Sequence, residues 1–106
     1  MKLSIDPHGP WYHGSPVLLA VLRTGSTVTQ WQALAEAFSH KPALLTYTAD
    51  GAIQHNGTAH GYLYAVDEPI AVDKDVYQHP RTTMDANVEF LTKRPMKVKL
   101  IAELPV

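Results

Sequence analysis

The hydrophobic period of this chain changes once, near Ala43, and that change constrains the fold more than any other feature. Ahead of it, apolar residues recur at helical spacing. Ser15 followed by Pro16 predicts a helix start, an N-cap with proline at the first helical position. That helix carries Val17, Leu18, Leu19, Val21 and Leu22, apolar nearly all round, and stops at Gly25. Thr27-Val28-Thr29 reads as a brief extended piece. Thr29 then caps a second helix with Trp31, Leu34, Ala35 and Phe38 on one face, spaced i, i+3, i+4, i+7. Ser39-His40-Lys41-Pro42 ends it, because proline disfavours helix in the residue before it.

Beyond Ala43 the pattern is that of strands. Leu44 to Thr48 predicts a strand, with Asp50-Gly51 turning into Ile53-Gln54-His55 and Asn56-Gly57 as a second turn. Gly61 to Val66 is the strongest strand, and Ile70-Ala71-Val72 reads as another, short one. Residues 73–87 look like a polar surface loop around Pro80. Glu89-Phe90-Leu91-Thr92 and Met96 to Leu104 close the chain as strands, separated by a Lys93-Arg94-Pro95 bend. In the last run Met96, Val98, Leu100 and Ala102 alternate with Lys97, Lys99, Ile101 and Glu103, a half-buried pattern. The expected architecture is α+β: two N-terminal helices packed on a mainly antiparallel sheet, in one domain over 1–106 with 1–10 as an N-terminal extension.

Composition narrows the chemistry. The chain has 106 residues and a net charge of −1, so its charge gives no pull toward nucleic acid or anionic membrane. No apolar run approaches the ~20 residues that span a bilayer, and the N-terminus lacks the apolar core of a signal peptide. The expectation is a cytoplasmic protein with no membrane partner; a secreted, toxin- or effector-like chain without disulfides has the same composition. There is no cysteine, hence no thiolate zinc site and no cysteine nucleophile. The six histidines form no His-x-x-x-His or HExxH pattern, so no metal site is expected. Lys93, Arg94, Lys97 and Lys99 form a basic cluster that reads as a solvated face or a phosphate contact.

Two segments carry candidate chemistry. Tyr12-His13-Gly14-Ser15 places a histidine and a glycine at a strand end, and Glu89 heads a late strand. One histidine and one carboxylate suit a general acid–base pair, but no serine or cysteine nucleophile is poised with them. The plainer alternatives are a strand-end histidine satisfied by backbone and a solvated edge-strand charge. Trp31 and Phe38 at helical spacing suit a core, as do Tyr62 and Tyr64 on one strand face.

The segment Tyr12-His13-Gly14-Ser15, with Gly25-Ser26 after it, resembles the His-Gly-Ser segment of the ADP-ribosyltransferase superfamily. The resemblance is to its His-Tyr-Glu branch, which holds poly-ADP-ribose polymerases, diphtheria-type toxins and rifamycin ADP-ribosyltransferases. Glu89-Phe90-Leu91, followed by Lys97-Val98-Lys99, is similar to the late glutamate strand and its partner. Gly61-Tyr62-Leu63-Tyr64-Ala65-Val66-Asp67 is similar to a mid-domain strand of the rifamycin-modifying enzymes. The resemblance implies a small fold of two helices on a split antiparallel sheet, with NAD as co-substrate. It implies an enzyme that breaks the nicotinamide–ribose bond and passes ADP-ribose to a protein, nucleic acid, small molecule or water.

By the same resemblance, His13 bonds a ribose hydroxyl on the adenosine side and the Gly14 backbone pairs with the nicotinamide carboxamide. Ser15 belongs to the same cofactor-binding segment, though its N-cap role explains it as well. Glu89 holds the nicotinamide-ribose 2′-hydroxyl and stabilises the developing oxocarbenium-like sugar. The family's middle tyrosine has no counterpart between Ser26 and Trp31. Tyr47 is the first replacement, ahead of Tyr62 and Tyr64, with Trp31 as an alternative stacking residue. Asn87, two residues before Glu89, stands where arginine-directed toxins carry Glu or Gln, so arginine modification is not implied. The loop from Tyr77 to Val88 is where such an enzyme reads its target. The missing tyrosine and the small size keep open a second reading, an inactive NAD- or ADP-ribose-binding or protein-interaction module.

Overall fold

In the computed structural model, which describes residues 3–105, strands dominate. Residues 1 and 2 of the expected N-terminal extension lie outside the described residues. The elements run β1 (Tyr12–Ser15), β2 (Val21–Leu22), β3 (Thr27–Val28), α1 (Gln32–Ser39), β4 (Leu45–Tyr47), β5 (Ile53–His55), β6 (Gly61–Val66), β7 (Val76–Gln78), β8 (Phe90–Thr92) and β9 (Met96–Leu104). A four-stranded sheet has the order β1-β6-β9-β2, a three-stranded sheet the order β3-β8-β7, and β4 and β5 form a separate hairpin. All named pairings are antiparallel. Trp11, Leu22, Val28, Tyr64, Val76, Phe90, Met96 and Val98 make the main core. Trp11 meets the Phe90 ring edge-on at 5.1 Å, and burial of such large apolar surfaces is the main stabilising term.

The expected α+β architecture with two N-terminal helices is therefore corrected: the chain is mostly β, with a curled antiparallel arrangement and one short helix. The segment after Ser15 starts as a helix would, with the Ser15 hydroxyl accepting the Val17 N–H at 3.2 Å. The buried Tyr64 then takes over. Its phenol donates to the Val17 carbonyl at 3.0 Å and accepts the Leu19 N–H at 2.7 Å, holding an irregular loop. Val21 and Leu22 follow as an edge strand paired to Lys97 and Met96, with Leu22 in the core. A run apolar on every side specifies no single buried face, and Val17 and Leu18 end up exposed. The chain turns at Gly25 (φ +84°), where only glycine avoids a Cβ penalty, and enters β3.

The second expected helix exists over 32–39, with Leu34, Ala35, Ala37 and Ser39 buried. It packs on the face of the four-stranded sheet opposite the main core and covers Leu63. Close approach is what this packing needs. A Cβ on Gly14 would lie 1.8 Å from the Ala35 carbonyl oxygen, and one on Gly61 would lie 2.1 Å from the Ser39 hydroxyl. The hairpin β4–β5 turns at Asp50-Gly51 as expected, with Gly51 at φ +87°.

Two later expectations also change. Ile70–Val72 is not a strand; Asp75 instead accepts the Ala71 N–H at 2.8 Å and clamps a turn. Arg94 ties that turn to Glu68 and Asp75, at 2.7 and 3.0 Å. The expected surface loop over 73–87 contains β7, whose Val76 is fully buried. In β9 the alternation holds at Met96 and Val98, then breaks. Leu63 pairs with Ala102 but Tyr64 with Leu100, so Ile101 is the extra residue of a β-bulge and Leu100 is left exposed. Among the described residues no helix is long and apolar enough to cross a membrane.

Candidate functional site

The site begins where two sheets diverge. Tyr12 and Thr29 exchange backbone hydrogen bonds at 2.7 and 3.0 Å, joining β1 to the residue just past β3. One step along, the strands separate. In a continued ladder Gly14 would bond Thr27, whose carbonyl points toward β1. Here the Thr27 carbonyl accepts a hydrogen bond from the His13 ring instead, at 2.6 Å from Nδ1. The histidine side chain takes the place of the next rung.

Parity along β1 then fixes where Gly14 points. The Trp11 carbonyl accepts from Val66 on β6, so Tyr12 faces β3, His13 faces β6 and Gly14 faces the β3 side again. With β3 displaced, the N–H and C=O of Gly14 are directed into the gap. That gap is a cavity of about 280 Å³ lined by Tyr12, His13, Gly14, Thr27, Thr29, Ala35, Phe38, Lys41, Pro42 and Glu89. His13 and Gly14, neighbours on β1, thus share one space with Glu89, far from them in sequence.

The protonation of His13 follows from its partner. A carbonyl only accepts, so Nδ1 carries the proton and Nε2 keeps a lone pair. Burial pushes the imidazole below its ordinary value of 6.5, partly offset by the bond to Thr27. At neutral pH the ring is uncharged and its remaining group is an acceptor. Glu89, half-buried just ahead of β8, adds a carboxylate to the same space.

The other expected residues lie elsewhere. Ser15 is buried with its hydroxyl on the Val17 N–H, outside the cavity. Tyr47 and Trp31 do not line it; they meet each other edge-on, ring to ring at 5.2 Å. The Tyr47 hydroxyl donates to the Asp85 carboxylate at 3.1 Å and accepts the Asp85 N–H at 2.9 Å, tying β4 to the loop that leads into Glu89. Burial, the Asp85 carboxylate and the charge of Glu89 push the Tyr47 phenol up, with the Asp85 N–H opposing them. Asn87 (φ +66°) donates to the Leu3 carbonyl at 3.0 Å and holds the N-terminal segment.

Sequence reasoning did not single out Lys41, Phe38 or Tyr12 as wall residues. Phe38 and Lys41 were legible only as the end of a helix, and nothing local says that this end abuts β1. The basic cluster of the last hairpin does not line the cavity; its Arg94 is engaged by Glu68 and Asp75. A larger cavity of about 800 Å³, between the N-terminal segment and residues 66–72, is mostly apolar. Its carboxylate, Glu68, is already bound to Arg94 and to the Lys97 N–H. The convergent polar groups are in the smaller space. Among the described residues no three His, Asp or Glu side chains are arranged to hold a metal ion.

No protein-family model, curated protein or solved structure matches this chain.

Proposed function

We propose that the cavity binds the nicotinamide-riboside end of NAD and that the protein is an NAD-dependent ADP-ribosyltransferase. The observation that carries this is the pair of Gly14 backbone groups directed into the gap between β1 and β3. A donor and an acceptor side by side on one residue complement a primary carboxamide, which offers one acceptor and one donor at the same spacing. Nicotinamide presents that group. The neutral His13, with an acceptor at Nε2, suits a ribose hydroxyl. Glu89 supplies negative charge where a glycosidic carbon becomes cationic. The space of about 280 Å³ lies at the small end of ligand pockets and suits half of a dinucleotide, the remainder lying along the rim.

The chemistry that NAD brings is a glycosidic bond to a cationic leaving group, which departs as neutral nicotinamide. The chain's role is to hold the carboxamide at Gly14, orient the sugar at His13 and place a fixed carboxylate at Glu89. Removing one such preorganised electrostatic group costs about a hundred- to a thousand-fold in rate. The likeness of residues 12–15 and 89–91 to ADP-ribosyltransferase segments supports the same reading.

The test is nicotinamide release from NAD by the wild type and by Glu89→Gln, with NAD affinity measured by calorimetry on the same samples. Release falling at least about a hundred-fold with affinity retained is the expected result. Binding without release in the wild type would replace the enzyme reading with that of a binding module. Neither binding nor release would remove NAD from the site altogether.

A further inference from the structure

Lys41 lines the cavity beside His13, Gly14 and Glu89. It is the first residue past the α1 C-cap, His40, and its backbone is left-handed at φ +54°. Its N–H bonds the Phe38 carbonyl at 3.0 Å, one of the two bonds of a Schellman turn. Pro42 follows and has no N–H to make the other. At this position glycine is the usual residue, because a Cβ is strained there. A lysine ammonium sits favourably at the negative end of the helix dipole, but its Cβ costs the turn what glycine would spare; what it adds over glycine is a long stem and a charge that reaches the cavity wall.

Among the described residues that ammonium has no ion pair and no hydrogen-bond partner. Every other charged group on the cavity wall is accounted for: Glu89 is the carboxylate and His13 is neutral. Lys41 is thus the cation on the wall of this space, a compact charge that can follow a ligand extending over the rim.

We infer that Lys41 binds the diphosphate of the dinucleotide and makes the site selective for a nucleoside diphosphate over a bare nucleoside. The inference rests on the cavity being an NAD site. It explains both the strained backbone, a local cost placed at a site lip, and the unpaired charge.

The experiment compares the wild type, Lys41→Gly and Lys41→Arg, titrated by calorimetry with NAD and, separately, with nicotinamide riboside, and melted without ligand. Glycine suits the left-handed turn, so Lys41→Gly is expected to melt at or above the wild-type temperature. Its NAD affinity is expected to fall about ten-fold, the scale of one charge-assisted contact, with riboside affinity unchanged. Arginine should restore most of the NAD affinity. Unchanged NAD affinity in Lys41→Gly would overturn the inference and leave the NAD reading standing. Equal losses for NAD and riboside would also overturn it, since Lys41 would then shape the cavity rather than meet phosphate. A wild type that binds neither ligand would overturn the NAD reading, and this inference with it.

Discussion

At the scale of single residues, His13 and Gly14 each have a structural duty beside the ligand role that the family resemblance implies. His13 satisfies the Thr27 carbonyl that the separated strands leave open. Removing the ring in His13→Ala should cost about 1 kcal/mol in urea unfolding, the scale of one part-buried hydrogen bond. The residue also carries a pH signature. Its folded value lies below the ordinary 6.5, so the folded protein takes up its proton less readily than the unfolded chain. The stability it contributes is fully present above that ordinary value and declines as pH falls through it. His13→Asn should therefore lose less stability between pH 7.5 and 5.5 than the wild type; equal losses would contradict a neutral, carbonyl-bound ring. Gly14 is constrained from the other side. A Cβ there meets a backbone oxygen of α1 at 1.8 Å, so Gly14→Ala should destabilise by roughly 3 kcal/mol. Gly61→Ala should destabilise as well, since its Cβ would lie 2.1 Å from the Ser39 hydroxyl and 2.6 Å from the Ser39 Cβ, which cannot rotate away. The identity of His13, Gly14 and Glu89 as a group was legible in the sequence through a resemblance. That His13 replaces a ladder rung was not, because it depends on where β3 goes.

At the scale of elements, legibility followed how much each segment's own pattern decided. The helix over 32–39, the turn at Asp50-Gly51 and β6 are set by local spacing and turn chemistry, and they were readable. The segment 16–22 was not, since its apolar residues favour a helix and its fate is set by a tyrosine far along the chain. Tyr64 holds Val17 and Leu19 through one hydroxyl. Tyr64→Phe should therefore keep the core filled yet lose about 1–3 kcal/mol, and the Leu19 amide should exchange faster than in the wild type. If the Leu19 amide kept its protection, another contact would be holding the loop. β7 was hidden for a different reason: only Val76 of its three residues is buried, too few to show a period.

At the scale of the whole molecule, the proposed binding site is a consequence of how the fold opens the gap between β1 and β3. The strands pair at Tyr12–Thr29 and then diverge, so the sheet itself ends in a donor and an acceptor at Gly14. A ligand that supplies the missing rung completes a ladder the protein leaves unfinished, and it should stabilise the fold by mass action. At a concentration of one hundred times Kd the gain is about 2.7 kcal/mol, visible as a raised Tm with NAD. Amide exchange then locates it. Neighbouring amides of β1 face opposite ways: His13 bonds toward β6, while Gly14 faces the gap. In the free protein the Gly14 amide should exchange much faster than that of His13. NAD should slow Gly14 and leave His13 nearly unchanged. Were Gly14 as protected as His13 without ligand, its N–H would already be paired and the cavity would have no rung to offer. Were NAD to raise Tm without slowing Gly14, the dinucleotide would bind somewhere other than the gap between these strands.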